Sequence, residues 1–368
     1  MDDVTDTVFR QIIADCAPPD VYFTEFVNVD GLQSPGREKL LKKLQFSAKE
    51  KPLIAQLWGK IPENYYKTAR EIADGTLIDE IARHNQHFGS SKVQGSNENR
   101  ANSTGGTESE TRKQLTQQFA ESDSRVTSSA SEQTIVASGF AGIDINFGCP
   151  DKSVVKNGCC IGMINNRELT GEIIEAVREG VKDAGSSLPV SVKTRLGLKD
   201  VDYTWHEFLL KQKLNMLTIH GRTAAEMSKV PNHWDAIQHI REMRDVLCPS
   251  TLIVGNGDVM NHAHGLELAK KHGLDGIMIG RGVFHDPFAF AASPAGGSPF
   301  ESMTVQEKID LYRRHVQLFA DTWKNNERPI HTLNKFCKIY INGFDGAKEL
   351  REKLMAANSA EELLTLLG

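Results

Sequence analysis

The chain has 368 residues, a formal net charge of −5, 25% charged residues and 39% apolar residues. That is room for one large α/β domain with an appendage, and the balance excludes a fibrous or wholly disordered chain. No apolar run approaches the roughly 18 residues of a membrane span, and the negative total means that any nucleic acid must be met by a local basic face.

The acidic start, Met-Asp-Asp-Val-Thr-Asp, has no signal-peptide core. Cysteines 16, 149, 159, 160, 248 and 337 contain no Cys-x-x-Cys pair. This spacing argues for a reducing environment, so a cytoplasmic protein is expected, and against a disulfide framework or a metal site.

In chain order, residues 4–16 carry apolar Val4, Val8, Phe9, Ile12 and Ile13 at helical spacing. Strand-like runs then recur at Val21–Val27, Leu53–Gly59, Gly142–Gly148, Val190–Leu196, Met216–Arg222, Leu252–Asp258 and Gly276–Gly282, with helix-like segments between them. Alternation at this spacing predicts parallel βα units. Seven strands fall one short of the eight of a (β/α)8 TIM barrel. Residues 87–132 interrupt the pattern with ten Ser and five Thr. So polar a stretch cannot bury enough surface to offset its ordering entropy, which predicts a disordered insertion with at most a short helix at Leu115–Phe119.

A Pro/Gly/Ser linker, Ser293–Pro299, follows the last strand. Beyond it the pattern is helical: Val305–Trp323, Leu333–Ile341, Ala347–Leu354 and Ser359–Leu367, the last opening on a capping-box pair, Ser359 and Glu362. The expected organisation is a catalytic barrel over 1–292, a linker over 293–299 and an all-α helical bundle over 300–368.

The stretch 142–163 organises the chemistry. Ile143 and Ile145 alternate with Asp144 and Asn146, then Gly148 and Pro150 stop the strand with Cys149 between them. A thiol at the C-terminal mouth of a parallel strand is either a packed small hydrophobe or a reactive group. Its place in a turn beside Asn146 favours the reactive reading. Other strand ends also carry polar groups: Gln56, Lys193 with Arg195, His220 with Arg222, Asn256-Gly257-Asp258 and Gly280-Arg281. One such group is ordinary, but a series of them at successive strand ends is not a packed core.

The glycine-containing ends at 256–258 and 280–281 lie where barrels bind phosphate. A monophosphate carrying a large flat ring fits FMN, with Lys193 opposing negative charge on the reduced ring and Gln56 and His220 within reach of the ring or ribityl chain.

The strings Asp-Ile-Asn-Phe-Gly-Cys-Pro, Gln-Leu-Trp-Gly, Val-Lys-Thr-Arg-Leu-Gly, His-Gly-Arg-Thr, Asn-Gly-Asp and Gly-Arg-Gly, in this order, resemble the tRNA-dihydrouridine synthases. The resemblance implies FMN held by Met1, Gln56, Lys193, His220, Asn256, Gly257, Asp258, Gly280 and Arg281, with NADPH or NADH as the reductant. It implies reduction of uridine in tRNA to 5,6-dihydrouridine, with Cys149 as the acid that protonates C5. That role calls for a protonated thiol with a pKa not strongly lowered. Asn146, Arg195 and Arg222 are candidates for holding the substrate.

Two departures stand out. The family's Ala-Pro-Met strand end is represented only by Met1, so the first strand is expected to be missing. Cys159 and Cys160 occupy a turn that is usually Gly or Ala there, and are expected to pack rather than react.

Between 313 and 338, Arg313, Arg314, Lys324, Arg328, Lys335 and Lys338 outnumber Asp321 and Glu327. Arg313, Arg314, Lys335 and Lys338 are the candidate tRNA contacts, on a protein expected to be monomeric. The alternatives are an FMN barrel reductase of a small molecule, like dihydroorotate dehydrogenase, or an inactive RNA-binding relative.

Overall fold

A computed structural model describes residues 3–88, 139–292, 297–324 and 327–368. Met1, nearly all of the 87–132 insertion including Leu115–Phe119, and most of the Ser293–Pro299 linker lie outside the described residues.

The strands are β1 (Tyr22–Phe23), β2 (Val27–Asn28), β3 (Leu53–Trp58), β4 (Gly142–Phe147), β5 (Val190–Arg195), β6 (Met216–His220), β7 (Leu252–Asn256) and β8 (Gly276–Met278). Every pairing is parallel; β1 and β2 both pair with β3, and each later strand pairs with the next. This is the curled α/β sheet expected of the barrel. Among the described residues no strand precedes Tyr22, and no pairing joins β8 back to β1.

The strand read as continuous over 21–27 is two pieces. Between them Thr24 turns its hydroxyl to the backbone N–H of Gln56 at 3.0 Å. Glu25, fully buried, leaves the ladder to pair with Arg328.

Helices connect the strands and pack on the outer face, their first turns capped by Asn166, Asp202 and Asn261. Pro62–Ala73 and Arg167–Asp183 approach closely at Gly180, where a Cβ would stand 2.4 Å from the Tyr66 carbonyl oxygen. One apolar core fills the space between sheet and helices, centred on residues such as Leu57, Ile145, Val192, Leu217 and Trp205. A small second group, Ile54, Met216, Leu252 and Val254, lies together with Phe23 and Met278.

A third core belongs to the C-terminal helices. Tyr312, Val316 and Phe319 of Val305–Thr322 meet Leu333, Phe336, Tyr340 and Leu363. Val8, Phe9 and Ile13 of the N-terminal helix Thr7–Cys16 join it, with Phe9 stacked on Phe336 at 4.8 Å. The helix expected over Leu333–Ile341 is two short pieces, His331–Asn334 and Cys337–Tyr340. Asn334 sits at the break and donates to the carbonyls of Met355 and Ala357, tying it to the end of Ala347–Ala356. Half of the last capping box forms: Ser359 accepts from Glu362 N–H, but the Glu362 carboxylate takes the N–H of Asn358.

Buried ion pairs join these parts. Arg328, 4% exposed, pairs with Glu25, lies 3.7 Å from Asp6 and covers the Trp323 ring at 5.0 Å. Trp323 donates to Asp6, the N-cap of the first helix. Arg10 pairs with the fully buried Glu50 at 2.5 Å. Breaking such a pair from one side leaves a buried charge uncompensated. Arg328→Ala is expected to lower unfolding stability by about 3–5 kcal/mol, while Arg328→Met with Glu25→Gln loses clearly less, measured by denaturant unfolding.

Candidate active site

Side chains two apart on a strand share a face, and the register stacks the predicted residues in rows. Gln56, Asp144 and Ser191 form one row; Asn146, Lys193 and Thr218 the next; Arg195, His220, Asn256 and Met278 the C-terminal rim. The polar residues read as strand ends are therefore gathered at one mouth.

The lowest row is a closed network. Asp144 is fully buried and accepts from Ser191 at 2.6 Å and from the Gln56 amide at 2.8 Å. Burial pushes its carboxyl up to about 6, against the pull of these two bonds and of Lys193. The Gln56 amide nitrogen is thus committed to Asp144, and its oxygen stands 3.5 Å from the Asn146 amide.

Cys149, half-buried, sits in a turn clamped from two sides. The Asn146 side-chain oxygen accepts the N–H groups of Gly148 and Cys149, both at 3.0 Å. The Arg195 guanidinium donates to the Gly148 carbonyl at 3.0 Å and to the carbonyls of Thr223 and Met227, both at 3.1 Å. Asn146 and Arg195, expected to face a substrate, thus hold the turn that presents the thiol. Burial leads the lowering of the Arg195 pKa to about 10.

The thiol itself departs from expectation. The neighbouring Cys160 thiol first, then the Asp151 N–H, lower the Cys149 pKa to about 6 against the opposing effect of burial. The neighbouring Cys149 thiol and burial push Cys160 up. The thiol is therefore a stronger acid than the reading of an unshifted pKa anticipated.

Above Asn146 the mouth is cationic. Lys193 is half-buried, and its ammonium makes no hydrogen bond or ion pair with the described residues; burial first, then Arg195, lowers its pKa to about 8. Burial and the charges of Lys193, Arg195, Arg222 and Arg281 push His220 down to about 2, leaving a neutral imidazole. Arg222 pairs with Asp258, and Arg281 pairs with the same carboxylate at 2.7 Å. Arg222 and Arg281 thus share one carboxylate, and with Lys193 and Arg195 around His220 the rim is rich in cations, which suits an anion.

The ends of β7 and β8 meet here. Gly257 has φ +120°, and a Cβ on it would strike the Asn232 side chain at 2.1 Å and His220 at 2.9 Å. The Asn232 side-chain oxygen is buried without a hydrogen-bond partner. Asn256 donates to the Met278 carbonyl at 2.9 Å. Gly280 has open space, its Cβ position meeting nothing closer than Asn256 at 4.0 Å.

The predicted basic face is less free than its charge count. Arg313 is taken by Asp310 and the carbonyls of Leu367 and Gly368, Arg314 by Asp15, and Lys335 by the Asp3 carbonyl. Lys338 is exposed.

The sequence reading missed the Asp144 network, although it had a signal: Asp144 is two residues before Asn146 and shares its face.

Residues 88–367 match the family model described as dihydrouridine synthase (Dus). Over 370 residues the chain is 36% identical to a Staphylococcus aureus (strain MRSA252) protein named probable tRNA-dihydrouridine synthase, an alignment covering 100% of this chain and 90% of that one. It is 37% identical over 371 residues to probable tRNA-dihydrouridine synthase 2 of Bacillus subtilis (strain 168), covering 100% and 91%.

The clamp on the Cys149 turn is directly testable. Asn146→Ala frees two backbone N–H groups and is expected to cost about 1–3 kcal/mol in denaturant unfolding.

Proposed function

The chain belongs to the dihydrouridine synthase family, and from that premise we propose that it reduces uridines of transfer RNA to 5,6-dihydrouridine with flavin mononucleotide and NADPH or NADH. The observation that carries this reading is the juxtaposition of a half-exposed thiol, Cys149, with an unpaired half-buried ammonium, Lys193, one strand away in the same row as Asn146.

The residues present fit the flavin. Lys193 has no counter-charge bonded to it among the described residues, the surrounding guanidinium groups give a positive surplus, and the space over Gly280 and Asn256 is open. Lys193 and His220 would lie against the ring or its chain, and Asn256, Gly257, Asp258, Gly280 and Arg281 against the phosphate. Met1 lies outside the described residues. The chemistry such a flavin supplies when bound is hydride transfer, from the nicotinamide and then to C6 of uracil.

The chain's own residues do the rest. Lys193 opposes negative charge in a site whose burial strengthens the interaction. Neutral His220 offers a hydrogen bond without adding charge. Asn146 and Arg195 hold the Cys149 turn so that the thiol faces the mouth, where a uridine turned out of the RNA stack is accessible. Cys149 delivers its proton to C5 on the side away from the incoming hydride. Arg222, drawn to Asp258, orders the rim rather than reaching out.

Transfer RNA as substrate rests on the family and the named relatives rather than on Arg313, Arg314 and Lys335, which are internally bonded. Lys338 remains a candidate phosphate contact. Among the described residues no helix is long and apolar enough to cross a membrane, and no cluster could hold a metal ion. The reading places a monomeric enzyme in the cytoplasm.

Cys149→Ala is expected to retain flavin absorbance and to lose dihydrouridine formation by about 100-fold or more, scored by mass spectrometry of the tRNA. Full activity in that variant would remove the role. The acid must carry its proton, and its pKa is lowered. Single-turnover product formation should thus be complete at low pH and decline as pH rises, beginning below the ordinary thiol value of about 8.5.

A further inference from the structure

We propose that Asp144 is a positioning residue for the Cys149 turn: it sets which way the side-chain amides of Gln56 and Asn146 face and, through them, holds the backbone that carries the thiol. Its consequence for turnover rests on the acid role proposed for Cys149.

The residues form one continuous chain. Ser191 Oγ donates to Asp144 Oδ1 at 2.6 Å, and Gln56 Nε2 donates to Asp144 Oδ2 at 2.8 Å. Asn146 Nδ2 donates to Gln56 Oε1 at 3.5 Å. Asn146 Oδ1 accepts the N–H groups of Gly148 and Cys149, each at 3.0 Å. Asp144 and Ser191 are fully buried, and Gln56 and Asn146 are each 6% exposed, so water offers few substitute partners.

The polarity of this chain is dictated from both ends. A side-chain amide carries an oxygen that only accepts and an NH2 that only donates. An ionised carboxylate only accepts, so Gln56 must turn its NH2 to Asp144 and its oxygen towards Asn146. A backbone N–H only donates, so Asn146 must turn its oxygen to the Cys149 turn and its NH2 back towards Gln56. The two demands meet in the middle with donor facing acceptor. Flipping either amide alone would set like against like and orphan a buried group.

Burial pushes the Asp144 carboxyl up to about 6, so it is ionised at pH 7.5. An apolar residue at this place on the strand would avoid the cost of burying a charge. It would also leave the Gln56 amide free to turn, and the Asn146 amide with it. The carboxylate supplies the one thing an apolar side chain lacks, a fixed sense for the chain.

The test is backbone amide exchange at pH 7.5, read residue by residue by mass spectrometry in the full-length protein. Asp144→Val removes the acceptor with a residue suited to a strand. Gln56→Met cuts the chain one link further on while keeping the side chain's shape, so the test survives if the Val variant folds poorly. In either variant, exchange at Gly148 and Cys149 is expected to quicken by about tenfold. Exchange at Ile143, whose N–H donates to the Pro189 carbonyl at 3.0 Å, should not change. The same variants should lower kcat for dihydrouridine formation by about tenfold or more with little change in KM for tRNA. Asp144→Asn still accepts from Gln56 while the Ser191 hydroxyl takes its NH2, and should restore most of the protection and of kcat.

Unchanged exchange at Gly148 and Cys149 in both the Val and Met variants would overturn the proposal. So would an equal rise at Ile143, which would mark general loosening, or an Asn variant that behaves like Val. Amide exchange needs no tRNA. Failure of the functional reading would appear separately, as absence of dihydrouridine formation by the wild-type protein.

Discussion

Gly148 is held from both sides, its N–H by the Asn146 side chain and its carbonyl by the Arg195 guanidinium. A thiol at a strand end is useful only if the turn that carries it does not wander, because small misplacements are costly in proton transfer. Asn146 comes from the same strand as the turn and Arg195 from the next, so the clamp is built on the parallel register itself. Arg195 extends it to the carbonyls of Thr223 and Met227 after β6. Beneath it, Asp144, bonded to Ser191, fixes Gln56. The geometry of the thiol, the lysine row and the cationic rim all depend on this fixed turn.

The rest of the molecule supports an open sheet. With no described pairing between β8 and β1, the first helix and the C-terminal helices share one core instead of packing as separate units. Glu25, Arg328, Asp6 and Trp323 link the edge of the sheet, the first helix cap and the helical segment. Such buried charges add little stability over an apolar pair, but they are intolerant of losing one member and so specify a single docking.

The strand ends were legible because period-two alternation and terminating glycines are local signals. Gln56, Lys193, His220 and Asn256 fell at one mouth as their spacing implied. What was not legible depended on distant partners. The break in the strand at 21–27 follows from Glu25 meeting Arg328, and the break in the helix at 333–341 accompanies Asn334 meeting Met355 and Ala357. The basic run at 313–338 could be counted, but not its pairing with Asp15, Asp310 and backbone carbonyls. The lowered pKa of Cys149 likewise has causes the local sequence does not display, the Cys160 thiol and the Asp151 N–H.

The central claim is that this mouth holds a flavin and passes its reducing equivalents to tRNA. The most direct measurement is the visible absorbance of the purified protein under anaerobic conditions, first titrated with NADPH and then mixed with tRNA lacking dihydrouridine. The account predicts flavin bands that bleach with NADPH and return on adding the tRNA. A protein that never shows flavin bands even with added flavin mononucleotide, or whose bleached flavin is reoxidised by oxygen but not by tRNA, would contradict it.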